Sequence, residues 1–312
     1  MVSRVHRVER MQLEDEQHIL IVSRTHETTL DWLYSQGLLV EEADCPNVNC
    51  NDHQLRKIKD PYTADIQKLR CSNCRTSRSL RWQSFFHDHK LTLMECIQVA
   101  FYHFIRQTQI KTVSKEMKIS ERAVSRLYSE VRTIISLYME DLKVGRQLGI
   151  ETDDNGDAIV EIDETLMTHQ NGLQMWVLGI FDRVTKDFWC WPVPDRTVET
   201  LIPIITQHVG QNARIYTDGW QSYTRLSREG YDHRVVPHVN GFGSGENTTN
   251  GIEPCWSELK RLTHHSHGIQ VNANDPIASL QQYVNVGCWR RQFKNEDLCR
   301  SLIEILTHYY ST

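Results

Sequence analysis

The stretch Ala158-Ile159-Val160-Glu161-Ile162-Asp163-Glu164 predicts a β-strand that ends in acidic residues. It is rich in β-branched side chains, which favour extended backbone. A second stretch of this kind covers residues 213–217, and Asp218 follows it directly. We therefore predict two strands that carry Asp163 and Asp218 at their ends.

The elements between these two stretches predict how the strands are arranged. Residues 175–181 and 188–193 are apolar and predict two further strands, and residues 198–209 predict a helix. Three hairpin-connected strands followed by a helix, a strand and further helices is the order of a ribonuclease H-like (RNase H-like) fold. In that order the first strand is central and the strand after the helix lies beside it, so Asp163 and Asp218 are expected to be neighbours.

A third acidic residue, Glu253, lies in Gly251-Ile252-Glu253-Pro254-Cys255-Trp256 and opens an apolar-periodic run that predicts a helix. Two strand-end aspartates and a helical glutamate offer the hard oxygen ligands that Mg²⁺ prefers. Two such ions ~4 Å apart catalyse phosphoryl transfer. Asn250 is a rival for the third position, and Glu253 is preferred because a carboxylate neutralises Mg²⁺ better than an amide.

Chance is the alternative explanation for these three acids. The chain has 40 Asp and Glu, so some will fall at strand ends. A glutamate near a helix N-terminus is also favoured by the helix dipole, with no catalytic role. The metal site therefore depends on the rest of the sequence for support.

Four of the nine cysteines form two close pairs, Cys45 with Cys50 and Cys71 with Cys74. Two such pairs about 20 residues apart predict a zinc ribbon with four thiolate ligands. Four protein ligands leave no open position for chemistry, so the zinc would be structural. The alternatives are four unpaired core thiols, or His53 as the ligand in place of Cys50.

Residues 113–128 predict a short helix, a turn and a second helix with Ser120 as its N-cap, the pattern of a helix-turn-helix. The second helix would enter the DNA major groove and present Arg122, Ser125, Arg126 and Ser129. Residues 45–146 hold 18 Lys or Arg against 10 Asp or Glu, which favours a polyanionic partner. The alternative is an ordinary helical domain.

Length, charge and hydropathy complete the outline. The 312 residues predict a multidomain α+β protein: a helical N-terminal segment (1–44), the zinc ribbon (45–84), a helical helix-turn-helix domain (85–150) and an RNase H-like α/β catalytic domain with C-terminal helices (151–312). No run of about 18 apolar residues predicts a membrane span. The N-terminus does not resemble a secretory signal, so we expect an intracellular protein without a membrane partner.

Several motifs in one order resemble the DDE transposases of the Merlin superfamily and the related bacterial ISXO2-like insertion-sequence transposases. They are the zinc ribbon, the helix-turn-helix, Val160 to Glu164, Trp176-Val177-Leu178-Gly179, Val193-Pro194-Asp195-Arg196-Thr197, residues 200–205, Tyr216-Thr217-Asp218-Gly219-Trp220 with Tyr223, residues 230–231, residues 252–260 and Trp289-Arg290-Arg291. The resemblance covers roughly residues 30–305. It departs at residues 166–172, where relatives usually carry a basic stretch.

The resemblance implies a function and a set of site residues. Asp163, Asp218 and Glu253 would hold two Mg²⁺ or Mn²⁺ ions, and Lys260 would contact a phosphate, although it is equally explained as a surface lysine. The protein would bind double-stranded DNA at transposon terminal inverted repeats, cleave there and transfer the 3′-hydroxyl strands into target DNA. Pairing two ends implies a homodimer or higher oligomer, and His238 resembles a family histidine near the pocket.

Two rival functions and two hosts stay open at this point. The rivals are a domesticated, non-catalytic zinc-ribbon and helix-turn-helix DNA-binding protein, and a structural zinc-ribbon interaction protein. A eukaryotic host, which the departures from the family pattern favour, implies the nucleus. A bacterial host implies the cytoplasm and nucleoid.

Overall fold

The computed structural model describes residues 16–50, 54–170, 173–236, 249–264, 274–294 and 297–310. The chain divides into two compact units, Met1–Ile134 with Glu296–Thr312, and Ile135–Asn295. The four-part domain division stays a prediction beside these two units. Within the described ranges, no helix is both long and apolar enough to cross a membrane.

The first unit contains a small antiparallel sheet of four strands. They pair in sequence order: β1 (Glu42–Asp44), β2 (Gln54–Lys59), β3 (Gln67–Arg70) and β4 (Ser77–Ser79). Leu55 and Leu69 are fully buried and anchor the two central strands. The sequence predicts β2 and β3, whereas the short, polar outer strands carry no apolar pattern from which to predict them.

The helices of this unit begin with α1 (Glu16–Val22) and α2 (His26–Ser35), followed by α3 (Leu93–Ile97). Residues 91–106 predict one amphipathic helix, but the structure continues α3 as a π-helix over Gln98–His103. The predicted apolar face is nevertheless buried throughout. It consists of Leu93, Cys96, Ile97, Ala100, Phe101 and Phe104. The C-terminal helix Leu298–Tyr310 also belongs to this unit.

Helices α4 (Ile110–Met117) and α5 (Glu121–Lys143) are joined by a three-residue turn. Lys118 ends α4 in the left-handed conformation, with φ of 57°. The hydroxyl of Ser120 accepts a hydrogen bond from the backbone N–H of Ala123 at 3.2 Å, as expected of the predicted N-cap. Residues of α5 from Ile135 onward belong to the second unit.

The second unit is built on a five-stranded sheet with the order β7-β6-β5-β8-β9. Its elements are β5 (Ile159–Gln170), β6 (Leu173–Asp182), β7 (Phe188–Val193), α6 (Val198–His208), β8 (Arg214–Thr217) and β9 (Asp232–Val235). Strands β5, β6 and β7 pair antiparallel, whereas β8 pairs parallel with both β5 and β9. The predicted adjacency of β5 and β8 is confirmed. Strand β9 is short and mostly exposed and was not predicted.

Each face of this sheet is covered by different helices, and the alternation of side chains along β5 decides what lies on each face. Val160 and Ile162 face the core that includes Leu201 and Ile205 of α6. Asp163 faces the opposite side. On that side, α7 (Ile252–His264) contacts β5 and β6, and α8 (Pro276–Gln292) contacts β7.

Helix α7 approaches the sheet so closely that two positions must be glycine. A Cβ atom on Gly179 of β6 would lie 2.5 Å from Cη2 of Trp256. A Cβ atom on Gly251, just before α7, would lie 2.5 Å from Cε1 of Phe181. These distances are well inside van der Waals contact, so the absent side chains allow the helix to pack where it does.

We predict that Gly179→Ala destabilises the protein by about 1–3 kcal/mol, because the methyl group overlaps the Trp256 ring and forces α7 outward. Gly219→Ala is the matched control, since a Cβ atom there meets nothing closer than 4.0 Å. The free energy of unfolding from denaturant titration measures both. Equal stability of the two variants would contradict this account of how α7 packs.

Candidate active site

Asp163 lies within the central strand β5, which continues to Gln170, so the predicted strand end at Asp163 is wrong, whereas Asp218 directly follows β8 as predicted. We call the part of the sheet at the C-terminal end of β8, where these two residues lie, the acidic edge. The parallel register of β5 and β8 pairs Glu161 with Tyr216. Two residues further along come Asp163 on β5 and Asp218 just past the end of β8. Both side chains are partly buried. The structure thus brings together the two aspartates that the strand order predicts to be neighbours.

A buried carboxylate fixes the beginning of α7. Glu161, which is 2% exposed, accepts a hydrogen bond at 2.9 Å from the backbone N–H of Ile252, the first residue of the helix. Its other oxygen accepts a 2.6 Å bond from Nε of Arg183. A negative charge at a helix N-terminus is favourable, and the arginine neutralises the carboxylate within the core. Glu253 consequently lies in the first turn of a firmly held helix.

Trp256 connects α7 to the first aspartate. Its indole Nε1 donates a hydrogen bond of 2.9 Å to Oδ2 of Asp163, and its ring packs against Gly179. Trp256 follows Glu253 by three residues, so both lie on neighbouring parts of the same helical face. The bond ties the Asp163 carboxylate to the helix that carries Glu253.

The three predicted acids do not form one tight cluster among the described residues. In the part of the chain that the structure describes, the only group of three or more potential ligands within 4.8 Å of one another is a cysteine cluster. Glu253 is exposed, whereas Lys260 on α7 is partly buried. Asn250 is exposed in the turn before α7. His238 and His53 lie outside the described residues.

Glu164 is a member of the site that the sequence did not single out. It follows Asp163 but points to the opposite face of β5, where it is 8% exposed. Burial raises the pKa of its carboxyl to about 7, with further upward effects from the charges of Asp163 and Asp218. The side chain of Tyr223 acts on the pKa of Glu164 in the opposite direction. The signal in the sequence that could have identified Glu164 is the pair of consecutive acids, Asp163 and Glu164, in an otherwise β-branched run.

Arg196 is the second residue that sequence reasoning missed. Its guanidinium carbon lies 4.0 Å from the ring centre of Trp176 and 3.9 Å from that of Trp220. The backbone N–H of Trp220 in turn donates a 2.9 Å hydrogen bond to Oδ1 of Asp218. The sequence shows Arg196 in an ordered motif, but only the fold reveals that two distant tryptophans enclose it.

The four predicted zinc ligands converge within the first unit. Cys45, Cys50, Cys71 and Cys74 place their sulfur atoms within 4.8 Å of one another. The Cys45–Cys74 and Cys50–Cys71 sulfur distances are 3.5 and 3.4 Å, respectively. Sulfur atoms about 3.8 Å apart are expected around a tetrahedral ion with Zn–S bonds of about 2.3 Å. None of the four forms a disulfide, so this donor set fits a structural zinc ion.

The remaining cysteines and the predicted DNA-reading residues occupy different settings. Cys96, Cys190, Cys255, Cys288 and Cys299 are all buried, as expected of small core residues. On α5, Arg122, Ser125 and Arg126 are exposed and Ser129 is partly buried. Nε of Arg126 donates to Oε1 of Glu130 at 2.8 Å. One side of α5 therefore carries all four predicted residues, at spacings of three, four and seven.

Comparison with known proteins finds a family match within the second unit. Residues 158–291 match the family model of the ISXO2-like transposase domain. A protein of Haemophilus influenzae (strain ATCC 51907 / DSM 11121 / KW20 / Rd), described as an uncharacterized transposase-like protein, is 32% identical over 114 residues. That alignment covers 36% of this chain and 85% of the relative.

Two solved structures show weaker similarity. The catalytic core domain of BIV integrase aligns with a TM-score of 0.31 at 15% identity, over 41% of this chain and 82% of that one. A chain of the simian T-cell lymphotropic virus intasome, solved in complex with PP2A regulatory subunit B56 gamma, aligns with a TM-score of 0.32 at 12% identity. It covers 62% of this chain and 67% of that one.

We predict that purified protein contains about one zinc ion per chain and that Cys45→Ser loses it, because three thiolates bind zinc far more weakly than four. Metal analysis of the dialysed protein measures the content. Cys299→Ala, which removes a buried thiol outside the cluster, is the matched control and retains the zinc. Full zinc content in the Cys45→Ser variant would show that the cluster is not the metal site.

Proposed function

This chain belongs to the ISXO2-like transposase family, and we propose that it is a DNA transposase whose active site is the edge formed by Asp163, Asp218 and Glu253. The observation that carries the proposal is the parallel pairing of β5, which contains Asp163 and contacts α7, with β8, which Asp218 directly follows. The matched domain, residues 158–291, includes all three acids. The proposed reaction is cleavage at transposon ends and transfer of the 3′-hydroxyl strands into target DNA.

The donor set of this edge suits divalent cations. Carboxylate oxygens are the ligands that Mg²⁺ and Mn²⁺ prefer, and Asp163, Asp218 and Glu253 would hold two such ions. When bound, the ions would neutralise charge on the reacting phosphate and activate the attacking oxygen. Both aspartates are already oriented by hydrogen bonds, from the Trp256 indole and the Trp220 backbone N–H.

The other residues of the edge have supporting roles in this proposal. Glu161 and Arg183 hold the N-terminus of α7 and with it Glu253. Lys260 lies two helical turns after Glu253 and would contact a DNA phosphate close to the acids. Asn250 stays a candidate ligand, because it lies only two residues before the helix.

We further propose that the first unit recognises the transposon ends. The cysteine cluster would hold the ribbon through zinc, and Arg122, Ser125, Arg126 and Ser129 of α5 would contact bases and phosphates of the terminal inverted repeats. Cleaving two ends in one complex calls for at least a homodimer. The bond between Arg126 and Glu130 would be exchanged for DNA contacts on binding.

We further assign the chain to the Merlin superfamily, because its motifs follow one another in the order typical of that superfamily. A Merlin-like element of a eukaryotic host places the protein in the nucleus. The alternative function is a domesticated DNA-binding protein that has kept the fold without catalysis. The presence of all three acids in the matched domain favours the active enzyme, and an activity assay separates the two.

We predict that the wild-type protein cleaves and transfers DNA carrying the element's terminal inverted repeats in Mg²⁺ or Mn²⁺. Asp218→Asn should lower the rate by at least about a hundredfold, because losing a metal ligand costs several kcal/mol of transition-state stabilisation. Asp154→Asn, in an exposed turn, is the matched control and should retain the wild-type rate. Gel analysis of cleaved ends and strand-transfer products measures all three.

Two results would overturn the proposal. Equal product from wild type and Asp218→Asn would remove the aspartate from the active site. Repeat-specific binding without any product in either metal would favour the domesticated DNA-binding protein.

A further inference from the structure

Arg196 is held in place by aromatic rings instead of by a carboxylate. Its guanidinium lies over the faces of Trp176 on β6 and Trp220 after β8, at 4.0 and 3.9 Å from the ring centres. An arginine stacked on tryptophan keeps its charge and loses much of its conformational freedom. The rings contact the flat face of the guanidinium. Its N–H donors lie in the plane of the guanidinium and therefore point away from both rings.

Those donors have no partner among the residues that the structure describes. Within these ranges the Arg196 side chain makes no hydrogen bond and no ion pair. Besides the two rings, it interacts electrostatically with the carboxylate of Glu164, whose pKa its charge lowers. The neighbouring carboxylate of Asp195 is engaged elsewhere. Its Oδ1 accepts hydrogen bonds from the hydroxyls of Thr197 and Thr200, at 2.7 and 2.6 Å.

The backbone around Arg196 ties this group to the proposed active site. Its carbonyl oxygen accepts hydrogen bonds from Nε1 of Trp220 at 3.0 Å and from the hydroxyl of Ser222 at 2.7 Å. The backbone N–H of Trp220 bonds to the carboxylate of Asp218 at 2.9 Å. Arg196, Trp220 and Asp218 therefore form one connected group at the end of β8, and Trp220 is 38% exposed to solvent.

From this arrangement we infer that Arg196 is a substrate-binding residue, whose guanidinium binds the non-bridging oxygens of a DNA phosphate next to the bond that is cleaved. The inference rests on the proposed transposase function and adds a contact that the acidic residues cannot supply. A carboxylate edge repels the DNA backbone, whereas a fixed cation beside it attracts and orients one phosphate. The planar fork of arginine matches the spacing of two phosphate oxygens.

The arrangement also distinguishes arginine from lysine at this position. Lysine would keep the charge, but it has no planar group to stack between the rings and no paired donors. We therefore expect Arg196→Lys to be impaired, but less than Arg196→Ala. If Arg196 had only a structural role, the loss of cleavage activity in each variant would follow its loss of stability.

The test is a scan of neutral phosphates in the DNA. Duplexes carrying the terminal inverted repeat are made with a single methylphosphonate at each position flanking the scissile phosphate. Single-turnover cleavage by the full-length protein is then measured for each duplex. For wild type we expect one position at which loss of the charge slows cleavage about 10- to 100-fold, the usual effect of losing a charge-assisted hydrogen bond.

In Arg196→Ala the unmodified duplex should be slow by a similar factor, and the methylphosphonate at that one position should cause almost no further loss. Arg225→Ala is the matched control, because its guanidinium is already paired with Glu229 at 2.7 Å in the same unit. It should reproduce the wild-type scan. Arg196→Lys provides the same comparison if the alanine variant does not fold.

The outcomes separate the two proposals. If wild type cleaves the DNA and the losses from the Arg196 variants and the methylphosphonates are additive at every position, Arg196 does not contact a phosphate there. The transposase function would then stand without this contact. If wild type cleaves none of the duplexes, the proposed function fails and the inference fails with it.

Discussion

The packing of Trp256 against Gly179 is the constraint on which the proposed active site depends. The ring fits because β6 has no side chain at that position, and the same ring donates its N–H to Asp163. One residue thus sets the distance between helix and sheet and also the orientation of an acidic side chain. The carboxylate of Glu161 fixes the other end of the contact by binding the first N–H of α7. Together they determine where Glu253 lies relative to the two aspartates.

The acidic side chains at this edge lie on both faces of the sheet. Asp163 lies on the face of β5 that α7 covers, Glu164 is buried on the opposite face, and burial raises the pKa of the Glu164 carboxyl to about 7. Residues 147–312 hold 21 Asp or Glu against 13 Lys or Arg, so this half of the chain repels DNA on its own. Bound cations and the fixed charge of Arg196 would reverse that repulsion at one place, and the basic residues 45–146 would supply attraction elsewhere.

The sequence predicts the features of this site that follow from strand order, and misses those that depend on packing. Apolar runs and the helix between them predict β5, β6, β7, α6 and β8. The parallel pairing of β5 with β8 then makes Asp163 and Asp218 neighbours. Strands β1, β4 and β9 are too short and polar to show a pattern. The enclosure of Arg196 by Trp176 and Trp220 joins three segments that are distant along the chain, so no local pattern reveals it.

In the proposed function, Asp163, Asp218 and Glu253 form a site for two divalent cations. Electron paramagnetic resonance of the protein titrated with Mn²⁺ tests it directly, because two Mn²⁺ ions ~4 Å apart give a spin-coupled signal. We expect about two bound ions per chain with that coupling in wild type and in Asp154→Asn, and loss of the coupling in Asp163→Asn. Isolated, uncoupled Mn²⁺ in wild type, or an unchanged coupled signal in Asp163→Asn, would contradict the account.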